Sequence, residues 1–197
     1  MKGSSVEKVV WKAWKAMELP EGYRAEIVEG VIEVSSNGGF AHAQVANRLW
    51  DALADFLRDS EYGAWSVTDV IHRRTAWTPD VLVAPRDGKP GAAKGGLGLK
   101  ASAVRMVVEV VSPGKRDQER DRFGKRRDYA RAGIPVYVLV DDYDGQGAVT
   151  LFTMPQPDRA DWEDIHRVPY GTDVTIPEGP AKGFVIGEAI TGPKRGS

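Results

Sequence analysis

The chain has 197 residues, 42% of them hydrophobic and 28% charged, and a formal net charge of -1. This is ordinary globular material of one-domain size, and the near-zero charge excludes a protein that holds nucleic acid by bulk charge alone. With Cys 0 there is neither a disulfide framework nor a thiolate zinc site, the longest apolar runs are of strand length, and no hydrophobic signal region opens the chain, so the expectation is a soluble cytoplasmic protein.

Val9, Val10, Ala13 and Met17 recur at helical spacing and predict a short helix over 6–17, closed by Pro20 and Gly22, that can pack against the core. Two β-rich runs, Tyr23 to Val28 and Val31 to Val34, flank Glu29-Gly30 and predict a hairpin with a two-residue turn. Val45, Leu49, Ala52, Leu53, Phe56 and Leu57 form one stripe of a long helix from Phe40 to Leu57. Ala64 to His72 and Pro79 to Ala84 read as strands, and the Gly-, Pro- and Lys-rich stretch from Pro85 to Lys100 as an exposed loop.

Val104 to Val111 is a continuous apolar strand carrying one charge, Glu109, and Ser112-Pro113-Gly114 stops it before a basic helix over about 117–132 that Gly133 ends. Pro135 to Val140 and Ala148 to Thr153 predict a second hairpin, and Trp162 to Val168, Asp173 to Ile176 and Phe184 to Ile186 read as short edge strands. Thr191 to Ser197 reads as a frayed polar tail. The order of elements predicts an α/β fold, a mixed β-sheet flanked by helices, in one domain over 1–190.

Between Lys115 and Arg131 eight cations face four acids. A basic helix beside an acidic site suits a phosphodiester substrate, while a solvated helix face has the same pattern. Six tryptophans can serve as base-stacking platforms, but core packing is the simpler expectation. His42, His72 and His166 are far apart in sequence and predict no zinc site.

Glu109 carries the most information, because an unpaired carboxylate in a strand buried on both faces is costly and needs a cation. Either a metal ion or a basic side chain can supply it. Asp80, just after Pro79 and at the head of the apolar run Val81-Leu82-Val83, can share that cation, and two carboxylates suffice for a hard divalent ion that keeps several waters. Glu109 points with Val107 and Val111, while Asp121, Lys125 and Tyr129, four apart, share a helix face from which Lys125 can reach the Glu109 strand.

Thr78-Pro79-Asp80, then Val108-Glu109-Val110-Val111-Ser112-Pro113, then Asp121, Lys125 and Tyr129 ahead of Gly133-Ile134-Pro135 and the strand to Asp141 resemble the Uma-two family of restriction endonucleases, within the PD-(D/E)XK nuclease superfamily. Glu26, Glu29-Gly30 and His42 resemble the family's opening, and the resemblance covers about residues 18–153. It implies a restriction-endonuclease-like sheet with an extra N-terminal helix and hairpin, and a Mg2+ or Mn2+ ion held by Asp80 and Glu109. It further implies DNA as the substrate of an endonuclease, and a homodimer. By the family pattern Lys125 orients the attacking water, since Val111 occupies the slot where the wider superfamily carries its lysine. Glu26 adds a third carboxylate, which His42 can orient. A non-catalytic module binding nucleic acid or protein on the same fold is the alternative.

Overall fold

In the computed structural model, which describes residues 4–36 and 38–193, the chain opens on a capped helix. The Ser4 side chain accepts from the Glu7 N–H at 3.1 Å and the Glu7 carboxylate accepts from the Ser4 N–H at 3.1 Å, a reciprocal capping box that starts α1 (Ser5–Lys15). The expected packing of this helix is slight, since no residue of it is buried. Trp14 Nε1 tethers it by donating to the Ala25 carbonyl at 2.7 Å.

The hairpin forms as expected from β1 (Tyr23–Val28) and β2 (Val31–Ser36), with Glu29 and Gly30 both at positive φ, 49° and 81°, as a type I′ turn requires. Helix α2 (Phe40–Phe56) follows its apolar stripe and buries Leu49 and Leu53, each contributing about 1.5–3 kcal/mol. The single strand expected over 64–72 is instead two, β3 (Tyr62–Trp65) and β4 (Val70–His72), and a third strand, β5 (Thr75–Trp77), precedes β6 (Val81–Pro85). Val67 and Arg73, at φ 50° and 55°, break the run, because a residue at positive φ leaves the extended region that a strand requires.

The loop over 86–98 contains a single 3₁₀ turn (Lys94–Gly96) before the short β7 (Leu99–Lys100). Gly98 sits at φ 124°, and a Cβ there would come within 2.1 Å of the Asp69 carbonyl oxygen. Gly98→Ala is therefore expected to cost about 1–3 kcal/mol, read as a melting midpoint lowered by about 2–4 °C per kcal/mol.

The Glu109 strand is β8 (Met106–Val110). The basic helix begins earlier than expected and is not uniform: α3 (Lys115–Glu119) leads into a π-helical segment (Arg120–Lys125) and then α4 (Arg126–Ala132). Gly133 closes it at φ 70°. The second hairpin is β9 (Val136–Asp141) and β10 (Ala148–Gln156), extended by β11 (Asp161–Pro169). The last two expected edge strands are β12 (Val174–Thr175) and β13 (Val185–Ile186), which pair only with each other. Thr191, read as the start of a frayed tail, is buried in α5 (Glu188–Thr191), while residues 194–197 of that expected tail lie outside the described residues.

The central sheet has the order β11-β10-β9-β8-β6-β3, and a second sheet the order β2-β1-β5-β4-β7. Only β8 and β9 are parallel in the central sheet, as the helical crossover between them demands. One face packs Val81, Val83, Met106 and Val108 against Leu49 and Leu53 of α2 and Leu57, which caps it. The other packs Leu82, Val107 and Leu139 against Tyr129 and Ala130 of α4 and against Val28, Val70 and Trp77 of the second sheet. Trp77 and Trp162 are core residues whose Nε1 atoms donate to Asp128 Oδ2 and the Arg126 carbonyl, so for these two the packing reading holds. Among the described residues no helix is long and apolar enough to cross a membrane.

Candidate active site

Strands β6 and β8 pair with Val81 opposite Val108 and Leu82 opposite Val107. One step further, Asp80 and Glu109 are neighbours at the end of that ladder. Leu82 and Val107 both face the α4 side, and residues two apart share a face, so Asp80 and Glu109 turn to the same side. The Val110 N–H donates to Asp80 Oδ2 at 2.8 Å and fixes that carboxylate against β8.

Lys125 arrives from the π-helical segment. Bonding from i to i+5 widens the turn, a distortion frequent at functional sites, and the buried positions fall in pairs four apart: Arg120 and Asp121, Gly124 and Lys125, Asp128 and Tyr129. Gly124 lets this face approach β1, where a Cβ would meet Val28 Cγ1 at 2.9 Å. The Lys125 side chain is fully enclosed, with Nζ 2.9 Å from Glu26 Oε1, 3.0 Å from Glu109 Oε1 and 3.8 Å from Asp121 Oδ1. Its partners are carboxylates rather than solvent.

All five residues singled out in the sequence meet here. Glu26 Oε1 also accepts from the Thr78 N–H at 2.7 Å, and Thr78 Oγ1 donates to Asp69 Oδ1 at 2.6 Å. The Tyr129 hydroxyl donates to Glu109 Oε1. His42, in the first turn of α2, lies with Nε2 3.1 Å from Asp80 Oδ2, so it orients Asp80 rather than Glu26, the carboxylate expected from the sequence. Arg24, which the sequence reading passed over, has Nη1 3.6 Å from Asp80 Oδ1 and Nε 3.9 Å from Glu26 Oε2. That Nε and Oε2 are buried and lack hydrogen-bond partners.

The cluster sets four carboxylates (Glu26, Asp80, Glu109 and Asp121) against three permanent cations (Arg24, Arg120 and Lys125). Burial alone would raise the Asp80 pKa, but the hydrogen bond and charge of His42, with Arg24 and Lys125, hold it down to about 2. Burial pushes Glu109 up to about 8, opposed by Lys125 and reinforced by Asp80, Asp121 and Glu26. Burial also disfavours charge on Lys125, yet Glu109, Glu26 and Asp121 raise its pKa and keep it an ammonium.

These shifts predict a pH profile for the metal-free protein. Glu109 binds its proton more tightly folded than unfolded, so its contribution is fully present below its ordinary value of 4.5 and is lost as pH rises through about 8. Asp80 has the opposite sign, present above 3.8 and lost as pH falls toward about 2. Denaturant midpoints are therefore expected to fall between about pH 5 and 8, and Glu109→Gln to flatten that slope; an unchanged slope contradicts the assignment.

The basic helix does not carry free charge as its sequence suggested. Arg120 pairs with Asp117 and Asp121, Arg122 with Asp141, Arg126 with Asp161, Arg127 with Glu29, and Arg131 with Glu29 and Asp128. Arg116 lies 3.9 Å from Glu33 and Lys125 is enclosed. Of the eight cations only Lys115 has no acidic partner among the described residues, because acids distant in sequence neutralise the local excess.

The family model described as "Putative restriction endonuclease", Uma2, matches residues 11–186. The chain belongs to the Uma2 family. No curated protein matches it. Among solved structures, a crystal structure of a putative nuclease belonging to DUF820 from Anabaena variabilis ATCC 29413 is similar at a TM-score of 0.69 and 13% identity, over 92% of this chain and 96% of that one. At that identity the likeness is one of fold, which is restriction-endonuclease-like.

In this Uma2 chain no group of three or more His, Asp or Glu side chains among the described residues is arranged as a ready metal cage. Asp80 and Glu109 are a pair on adjacent strands, which suffices for a hard divalent ion that takes its remaining ligands from water and substrate. The residues fit such an ion on two counts. Four carboxylates, the oxygen donors a hard ion takes, meet in one cluster, and Glu26 Oε2 is a buried acceptor with no hydrogen-bond partner.

Proposed function

We propose that this chain is a metal-dependent nuclease that hydrolyses phosphodiester bonds in DNA, acting in the cytoplasm. The observation that carries the reading is the convergence of Asp80, Glu109 and Lys125 from three separate elements, with Glu26 and His42 around them. Burying four carboxylates is costly, and a purely structural core has no need of them. Membership of a family described as "Putative restriction endonuclease", and a fold shared with a protein described as a putative nuclease, support the same reading.

Asp80 and Glu109 would hold Mg2+ or Mn2+, which when bound polarises a phosphoryl oxygen and lowers the pKa of a coordinated water. The protein's own residues prepare the site. His42 and the Val110 N–H fix Asp80. Lys125 and Tyr129 fix Glu109 from the opposite side. Lys125 thereby acts by orienting the carboxylates and offsetting their charge, and Arg24, at the rim of the cluster, offers the guanidinium that can meet a phosphate and the charge that develops on it. A homodimer would carry two such sites, which sedimentation of the purified protein measures.

One observation favours the non-catalytic alternative: Lys125 is saturated by carboxylates and Val111 fills the superfamily's lysine slot. Nicking of supercoiled plasmid with Mg2+ or Mn2+, and its suppression by chelator, separates the two. Metal-dependent nicking supports the nuclease; DNA binding without cleavage under any divalent ion supports the binding module.

A further inference from the structure

If the basic helix is neutralised, the phosphates of a bound strand must meet cations elsewhere. Two clefts adjoin the loop before β7. The smaller, about 470 Å3, is lined by Arg24, Asp69, Thr78, Leu97 and Gly98, and so opens beside the carboxylate cluster. The larger, about 1720 Å3, shares Leu97 and is walled by Arg73, Lys94 and Lys100. All three of these cations are exposed, and none is in an ion pair among the described residues. Of the acids on this cleft, Glu7 pairs with Arg74, and Glu29 and Asp128 with Arg131, which leaves Asp158 across the cleft.

The wall is built rather than loose. Lys100, on β7, lies beside Ile71 of β4 in parallel pairing, and Arg73 is in the turn that follows β4. The loop bearing Lys94 is closed by Ala93 N–H to the Gly98 carbonyl at 2.8 Å, and Lys100 N–H bonds the Gly91 carbonyl at 2.8 Å. Leu99 N–H then donates to the Asp69 carbonyl at 2.8 Å, Asp69 accepts from Thr78 Oγ1, and the Thr78 N–H donates to Glu26. Hydrogen bonds thus connect this wall to the carboxylate cluster.

We infer that Arg73, Lys94 and Lys100 form the surface that holds the phosphate backbone flanking the scissile bond, with Arg24 at its junction with the carboxylates. This rests on the nuclease reading and adds the path the strand takes across the protein. Three unpaired cations on a preformed wall release counterions on meeting phosphates, which makes their contribution salt-dependent and sequence-independent.

The test uses the full chain with chelator present, titrated into fluorescently labelled duplex and single-stranded DNA at several salt concentrations. The variant Arg73→Ala/Lys94→Ala/Lys100→Ala is compared with a charge-matched control, Arg48→Ala/Lys115→Ala/Lys182→Ala. The wall variant is expected to bind at least tenfold more weakly, with a log K against log salt slope shallower by about 2.7 for duplex or about 2.1 for single strands, and an unchanged melting midpoint. The control is expected to bind much as wild type does. Equal losses in both variants, or no loss in the wall variant, overturn the inference. If wild type nicks plasmid while the wall variant binds normally, this path alone fails. If wild type neither binds nor cuts DNA, the nuclease reading fails with it.

Discussion

Replacing Glu109 with glutamine is expected to lower metal-dependent cleavage by a thousandfold or more, a loss of about 4 kcal/mol or more in transition-state stabilisation. Glutamine keeps the length of the side chain, and its amide oxygen can still accept from Lys125 Nζ and the Tyr129 hydroxyl, the two donors that hold Glu109 Oε1. What it removes is the negative charge that a divalent ion needs. In the metal-free protein that carboxyl is pushed up to about 8, so near pH 7 folding must take up a proton that glutamine does not need, and the substitution is expected to leave the melting midpoint unchanged or raise it. Manganese affinity and plasmid nicking should fall together while the melting midpoint does not. Cleavage that survives Glu109→Gln means that the reacting phosphate is elsewhere.

Lys125→Met should behave in the opposite way, with its largest effect on the fold. The ammonium is enclosed between Glu26 and Glu109 and lies 3.8 Å from Asp121, and truncating one partner of a buried pair leaves the others uncompensated at about 3–5 kcal/mol. For a chain of this size that is a melting midpoint lowered by about 6–20 °C. Adding Glu26→Gln to Lys125→Met should return about 0.5–3 kcal/mol, because Glu26 is the carboxylate that Lys125 holds in its charged form. For contrast, Arg127→Ala breaks an exposed pair with Glu29 and is expected to cost less than about 1 kcal/mol. A Lys125→Met protein as stable as wild type would mean that the carboxylates do not depend on the lysine for their burial.

The different outcomes at these residues match what a sequence can and cannot display. Glu109 was legible because one charge in an apolar strand violates the strand's own pattern, and Lys125 because it stands four residues from Asp121 and from Tyr129 on a helix with a known successor strand. The hairpin followed from Glu29-Gly30, and α2 from its stripe. The split of the run at 64–77 was not legible, because Val67 and Arg73 sit at positive φ for reasons of tertiary position that their residue types argue against. Nor was the π-helical segment, since a widened turn leaves the four-residue spacing of an ordinary helix face unchanged.

Arg24 escaped notice for a related reason. A cation in a run whose polar and apolar residues alternate, as Arg24 and Glu26 do with Ala25 and Ile27, reads as an outward-facing residue, and only the approach of β6 shows it pointing at Asp80. The basic helix misled in the other sense: counting charges in a window cannot include Glu29, Asp141 and Asp161, which come from β-structure before and after it and neutralise Arg127, Arg122 and Arg126. The unpaired cations Arg73, Lys94 and Lys100 look unremarkable in sequence because they are scattered, and only β4–β7 pairing and the closed loop bring them to one wall.

The most direct test of the site is calorimetric titration of Mg2+ and Mn2+ into wild type and Asp80→Asn, with plasmid nicking followed on the same samples. The pairing of Asp80 with Glu109 predicts that wild type binds the ion and nicks, and that Asp80→Asn loses at least tenfold in affinity together with its nicking. Equal metal binding by the two proteins, or none by wild type, would contradict a metal centre built on Asp80 and Glu109.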